Sequence, residues 1–216
     1  MTLIERLSKE IAEKTARTLN LDKDREEVIA YGALNFLHTM LTTILLILFG
    51  FIASSLAEVL LIGFTSAAVR KYAGGMHANS PTHCALISLI LFGGMTLLVK
   101  FMPVFTRPYF VLVFQILIAL AALILFYKLS PVDSPNKRIT DPEKRKRLRN
   151  GSIILLLFLQ FITLVFWAWH LKTGSLLSLR LIACISAGLA WQTVSLTAAG
   201  RFIINRLMLL LSRIGI

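Results

Sequence analysis

The sequence predicts an all-α fold: a polytopic integral membrane helical bundle of about six transmembrane helices, preceded by an N-terminal amphipathic helical segment. Three observations predict it. Of 216 residues, 56% are hydrophobic and only 16% charged, too little charge to coat a soluble domain of this size. The apolar residues gather in blocks close to the ~20 residues that a helix needs to cross hydrocarbon. The lysines and arginines fall between those blocks, which also decides what the net charge of +12 means. A nucleic-acid surface needs a continuous basic stripe, and this distribution makes none, so no nucleic-acid partner is expected.

Residues 1–30 form the N-terminal segment, polar and helical, with Ile4, Leu7 and Ile11 making an apolar stripe between charged positions. It suits either the membrane interface or the underside of the bundle. Seven acids stand among six bases there and no apolar core follows a basic start, so it is not expected to be a cleavable signal peptide. The membrane domain, residues 31–200, opens with an apolar block from Gly32 to Val69 that is too long for one crossing. It divides at Ala53, Ser54 and Ser55 into crossings at 32–52 and 54–69. The second is short and holds Glu58, the only acid inside any apolar block. An intramembrane carboxyl faces a polar bundle interior or does chemistry, whereas one at a helix start is wetted by the interface. Both readings stay open, as does the choice between spanning and re-entry for 54–69.

Beyond a polar loop at 70–83, the third crossing covers 84–101, where Gly93 and Gly94 permit close helix approach. Pro103 and Pro108 mark the turn after it. The fourth crossing, 109–129, ends in FYKL, which sets an aromatic and a lysine at interface depth. The linker PVDSPNKRITDPEKRKRLRN is the most basic stretch of the chain, irregular in its proline-rich first half and suited to start a helix in its second. The fifth crossing, 151–171, closes on Trp167, Trp169 and His170 as an interface belt, and the sixth covers 176–199. Residues 201–216, with Arg206 and Arg213 among apolar residues, read as an interfacial C-terminal tail.

Charge sets the orientation. Six lysines and arginines lie in 1–30, two at 70–71, eight in 128–149 and three from Arg201 onward, nineteen on one side of six crossings. The other four, Lys100, Arg107, Lys172 and Arg180, flank the opposite turns. The positive-inside rule then makes the chain a multi-pass protein of the cell membrane, with both termini, the 70–84 stretch and the 129–150 linker on the cytoplasmic face.

The candidate chemistry concentrates in RKYAGGMHANSPTHC at 70–84. Ser80 is placed to cap the following helix and Pro81 to take its first turn, which sets Cys84 near amide N–H groups and the positive helix end, where a thiolate is favoured. His77 is the candidate base. A continuous helix would hold it about 10 Å from Cys84, but Pro81 interrupts that helix, and Gly74 and Gly75 allow the chain to fold back. His83, though adjacent to Cys84, points about 100° away around a helix. Arg70, Lys71 and the loop amides are suited to receive a substrate carboxylate or an oxyanion, and Asn79 or Glu58 to orient the imidazole. The plain alternative is a polar turn with an incidental cysteine, which spacing alone does not exclude. His77, His83 and Cys84 offer no fourth donor and a spacing foreign to zinc sites, and no phosphate-cradling glycine motif occurs, so neither a metal nor a cofactor is expected. Cys184, in the middle of an apolar block, reads as a small buried residue.

Arg70, the YAGG turn at 72–75, His77 followed by Ala78, Cys84 at the start of a crossing, and PVDSPNKRI at 131–139 together resemble the accessory gene regulator B (AgrB) family. The hydrophobic layout is similar across nearly the whole chain. The resemblance implies an integral-membrane cysteine endopeptidase that cuts a short precursor peptide near its C-terminal side. It further implies a part in closing a cyclic autoinducing peptide, a thiolactone or a lactone, for quorum sensing. It carries over His77 as the base and Cys84 as the nucleophile, and gives His83 no role. The implied partners are the lipid bilayer and a short, amphipathic, AgrD-like precursor with an acidic C-terminal tail. Lys137, Arg138, Lys144, Arg145, Lys146, Arg147 and Arg149 offer charge for that tail, and equally serve as topology determinants. The peptide itself and a homo-oligomeric state stay open.

Two other function classes fit the same coarse layout. A small membrane transporter or channel would carry ionisable groups near midplane on several helices, and the crossings offer chiefly Glu58, Gln115, Gln160 and Gln192. A non-catalytic membrane scaffold would tolerate Cys84→Ser without loss of output.

Overall fold

The computed structural model describes residues 3–75, 80–133 and 140–213. Among them are the helices α1 (Leu3–Leu19), α2 (Lys23–Ile52), α3 (Leu56–Ala73), α4 (Pro81–Phe101), α5 (Pro108–Leu129), α6 (Pro142–Thr173), α7 (Leu176–Ser195) and α8 (Ala198–Arg213), with a 3₁₀ turn at Pro103–Thr106. Local chemistry sets the junctions. The Asp22 carboxylate caps α2 by accepting the Arg25 amide at 2.9 Å. Asp141 caps α6 in a similar way, accepting from the Glu143 amide at 2.9 Å, and Pro142 takes the first helical position. Gly174, in the left-handed conformation, ends α6.

Helices α2, α4, α5, α6 and α7 are long and apolar enough to cross a bilayer, and the chain is a multi-pass membrane protein. Helix α3 is shorter, 18 residues, with Glu58 in its first turn and Arg70 and Lys71 in its last. It packs with α7 at the centre. In the most apolar window of α7, 72% of residues are buried, against 11% for α2, so α7 is the post around which the others stand and α2 an outer helix. Gly188 lets α7 come this close to α3: a Cβ there would lie 2.6 Å from the Ile62 carbonyl oxygen. Of the two glycines expected to serve α4, Gly93 faces the Phe49 ring of α2 at close range, whereas Gly94 faces open space. On the outer faces of α5 and α6, Leu117, Leu120, Phe158 and Phe161 are exposed, the kind of surface that hydrocarbon covers.

Three details go beyond the sequence reading. First, α1 lies along α2 through Ser8, Ala12 and Ala16, because small side chains let two helix axes close, and Leu7 and Ile11 of the apolar stripe are left exposed. Second, Trp167 finds its partner inside the bundle. Its indole N–H donates to Gln115 Oε1 at 2.7 Å, while Gln115 Nε2 donates to Thr163 Oγ1 at 2.6 Å and Gln160 Oε1 at 3.0 Å, a polar clasp between α5 and α6. His170 Nδ1 lies 2.9 Å from the Ser175 carbonyl, joining the end of α6 to the start of α7. Third, α7 stops at Ser195, the chain turns through Leu196 and Thr197, and Gly200 nestles against the Val194 and Ser195 backbone. The segment after that turn is a packed amphipathic helix: Ile203, Ile204, Leu207, Met208 and Leu211 of α8 meet the core, and Arg201, Arg206 and Arg213 stay exposed.

Candidate active site

The end of α3, the start of α4, the end of α7 and the first turns of α8 meet at a small cavity lined by Arg70, Cys84, Ile87, Ser88, Leu91, Trp191 and Ile204. Its volume is about 10 Å³, room for about one water-sized sphere. Cys84 reaches it from a helix start built as its sequence dictates. Ser80 Oγ accepts the His83 amide at 3.1 Å, Pro81 occupies the first turn, and the Cys84 amide makes a helical hydrogen bond to the Ser80 carbonyl at 3.0 Å. The half-buried sulfur thus sits one turn into α4, near the positive helix end. No disulfide joins Cys84 to Cys184, and Cys184 is wholly buried in α7.

Arg70 comes to the same cavity from the last turn of α3 and interacts electrostatically with Cys84. Its Nε donates to Gln192 Oε1 at 3.3 Å, and Gln192 Nε2 donates to the Gly74 carbonyl at 2.7 Å. Gly74 ends α3 at φ 72° and ψ −154°, a conformation essentially confined to glycine, and a Cβ there would run into the Val132 carbonyl. Gly75, at φ 137°, abuts α7: a Cβ there would meet Ser195 Oγ at 3.0 Å and Gln192 Nε2 at 3.3 Å. Gly74 is therefore required by close approach as well as by backbone angle, and Gly75 by its backbone angle in a tight space. Alongside, the Val132 amide donates to the Ala73 carbonyl at 2.9 Å, and Gly74 and Val132 form a parallel bridge. The two separated motifs, the YAGG turn and the start of PVDSPNKRI, are thus in backbone contact.

The remaining residues singled out in the sequence divide clearly. His77, Asn79, Lys137 and Arg138 lie outside the described residues. Glu58 is on α3, but twelve positions before Arg70, which is about 18 Å along a helix axis. Its neighbours are in the other half of α7, where it acts electrostatically on Cys184, as Arg180 does. The structure does not bring it to Cys84. Lys71 is exposed, its Nζ 5.7 Å from the centre of the Tyr72 ring. Lys144, Lys146 and Arg147 are exposed on the first turns of α6. Arg145 is instead engaged: its Nη2 pairs with Asp133 Oδ2 at 2.6 Å and its Nη1 donates to the Pro131 carbonyl at 3.3 Å, pinning the linker that carries Val132. No cluster of three or more metal-ligating side chains occurs among the described residues. Trp191, Gln192 and Ile204 are site residues that sequence reasoning did not single out for this site. The available signal was weak, a glutamine beside a tryptophan near the end of a largely apolar helix.

A family model described as accessory gene regulator B matches residues 8–196. The chain belongs to the AgrB family. An AgrB-like protein of Clostridium perfringens strain SM101 is 33% identical over 211 residues, covering 94% of this chain and 95% of that protein. A second AgrB-like protein, from Clostridium perfringens strain 13, is 32% identical over 205 residues with the same coverage of 94% and 95%. No solved structure matches. The AgrB family match takes in every residue of the cavity except Ile204, which α8 supplies from beyond the matched span.

Proposed function

We propose that the chain is a membrane cysteine endopeptidase that cleaves a short precursor peptide through an acyl-enzyme thioester and supports its closure into a cyclic autoinducing peptide. The observation that carries this reading is the meeting of Cys84, one turn into α4, with Arg70 at a single cavity in a chain of the AgrB family. A helix N-terminus and a guanidinium both favour thiolate over thiol. With six crossings, α3 among them, both termini share one side, and the distribution of lysine and arginine supports placing that side in the cytoplasm. The site then faces the cytoplasm.

In this mechanism the Cys84 thiolate attacks the carbonyl carbon of a precursor amide, and His77 takes the thiol proton and passes it to the leaving amine. The S–C bond forms first and makes the carbonyl oxygen an oxyanion; its collapse breaks the C–N bond, the amine leaves with the proton from His77, and the N-terminal part of the peptide stays on Cys84 as a thioester. Arg70, with Gly74 and Gly75 holding the turn before His77, supports the developing oxyanion. A cysteine thiolate within the bound peptide then attacks the thioester and releases Cys84, giving a thiolactone by an exchange of like bonds; a serine hydroxyl gives a lactone. Water is the competitor, and the apolar wall of Ile87, Leu91, Trp191 and Ile204 leaves it little room. Lys144 and Arg147, exposed on α6, offer positive charge to an acidic precursor tail.

The decisive experiment is co-expression with the precursor peptide, comparing wild type, Cys84→Ala and Cys84→Ser by mass spectrometry. Wild type yields cleaved peptide and a covalent acyl adduct on Cys84. Processing by either variant at the wild-type rate refutes the nucleophile.

A further inference from the structure

Gln192 is wholly buried near the end of α7 (0% exposed), and both halves of its amide engage groups at the end of α3. Its Oε1 accepts from Arg70 Nε at 3.3 Å and its Nε2 donates to the Gly74 carbonyl at 2.7 Å. A guanidinium only donates and a carbonyl only accepts, so an uncharged amide in this one orientation satisfies both. Isosteric Glu would place an anion on Arg70 and leave the Gly74 carbonyl without a donor. Apolar Met would fill the space and serve neither.

We infer that Gln192 is a positioning residue of the Cys84 site: its amide holds the Arg70 guanidinium at the Cys84 cavity and anchors the Gly74 carbonyl, from which the chain runs on to His77. The inference rests on the proposed function above. Arg70 is the charged group that α3 brings to the cavity, while α7 and α8 bring neutral Trp191 and Ile204, and His83 precedes Cys84 on α4. The guanidinium's share of the favourable field on the sulfur, beside that of the helix end, therefore depends on Arg70 staying positive and in place, and Gln192 accepts its Nε hydrogen bond.

Two cysteines in the chain make the test direct, because a Cys184→Ala background leaves Cys84 as the one thiol. In that background the pH dependence of iodoacetamide alkylation reports Cys84 alone. Gln192→Glu is expected to move the alkylation midpoint upward by about one pH unit and to slow processing of the co-expressed precursor about tenfold. Gln192→Met slows processing with a smaller shift of the midpoint. In an Arg70→Gln background, Gln192→Glu moves the midpoint no further, since the two residues act through one contact. A wild-type midpoint and rate for Gln192→Glu, or an equal shift with and without Arg70, overturns the inference. Should Gln192→Glu fail to fold, as read from yield and helicity, Gln192→Met decides, and a wild-type processing rate overturns it. Cys84→Ala run in parallel separates the two layers. Processing retained by Cys84→Ala defeats the nucleophile assignment itself, whereas processing abolished there and untouched by both Gln192 variants defeats only the positioning role.

Discussion

Gly74 and Val132 pair backbone to backbone where α3 ends, the Val132 amide donating to the Ala73 carbonyl at 2.9 Å. The contact fastens the turn before His77 to the linker between α5 and α6. It also leaves no space at position 74, where φ of 72° already excludes most side chains. Gly74→Ala is therefore expected to cost about 1–3 kcal/mol and to lower peptide processing, measured by thermal unfolding in detergent and by product mass spectrometry. Wild-type melting and processing together would show that this junction is slack.

Ile204 gives a prediction about product, separate from rate. It comes from α8, is 4% exposed, and closes the Cys84 cavity with Trp191. Ile204→Ser replaces part of that wall with a hydroxyl and admits water to the thioester. The expected outcome is a larger share of hydrolysed linear peptide relative to cyclic peptide, read by chromatography and mass. An unchanged ratio would remove α8 from the control of water.

The Gln115 clasp predicts a stability effect without a catalytic one. Gln115→Leu strands the Trp167 indole N–H and the Gln160 and Thr163 side chains between α5 and α6. Interhelical hydrogen bonds within a bilayer are worth about 0.6–1.7 kcal/mol, so a loss of that order is expected in an unfolding assay in bicelles. Processing under stable conditions should hold, because neither helix contributes to the Cys84 cavity.

Arg145 and its neighbours make opposite predictions. The Arg145–Asp133 pair is 45% and 35% exposed, so Asp133→Asn should change stability by less than about 1 kcal/mol. Exposed Lys144 and Arg147 are where an acidic peptide tail would be felt. Neutralising both is expected to raise KM for the precursor several-fold with kcat held, provided a topology reporter finds orientation preserved. Unchanged KM with preserved topology would assign these residues to orientation alone.

Much of this was legible in the sequence, for identifiable reasons. Bilayer-length apolar blocks announced the helices, and Ser80 with Pro81 announced the start of α4, because capping is a local preference. The centrality of α7 was not legible: its contact with α3 depends on Gly188 meeting Ile62, and nothing in either helix names the other. Glu58 was left open as a support for the site that Arg70 enters, and a continuous α3 holds the two at opposite ends. Ile203, Ile204, Leu207, Met208 and Leu211 have helical spacing, but interspersed arginines masked the packed face of α8. Gln192 had no periodic signal at all, since one amide in an apolar run is seen to matter only once its partners are known.

The cavity draws Arg70 and Cys84 from before the 3₁₀ turn at Pro103–Thr106 and Trp191 and Ile204 from after it. Cutting the gene in that turn therefore deals half a site to each fragment. Neither fragment alone should process peptide, and the two expressed together should recover activity only as far as they reassemble in the membrane, which makes this protein a ready split reporter of its own helix association.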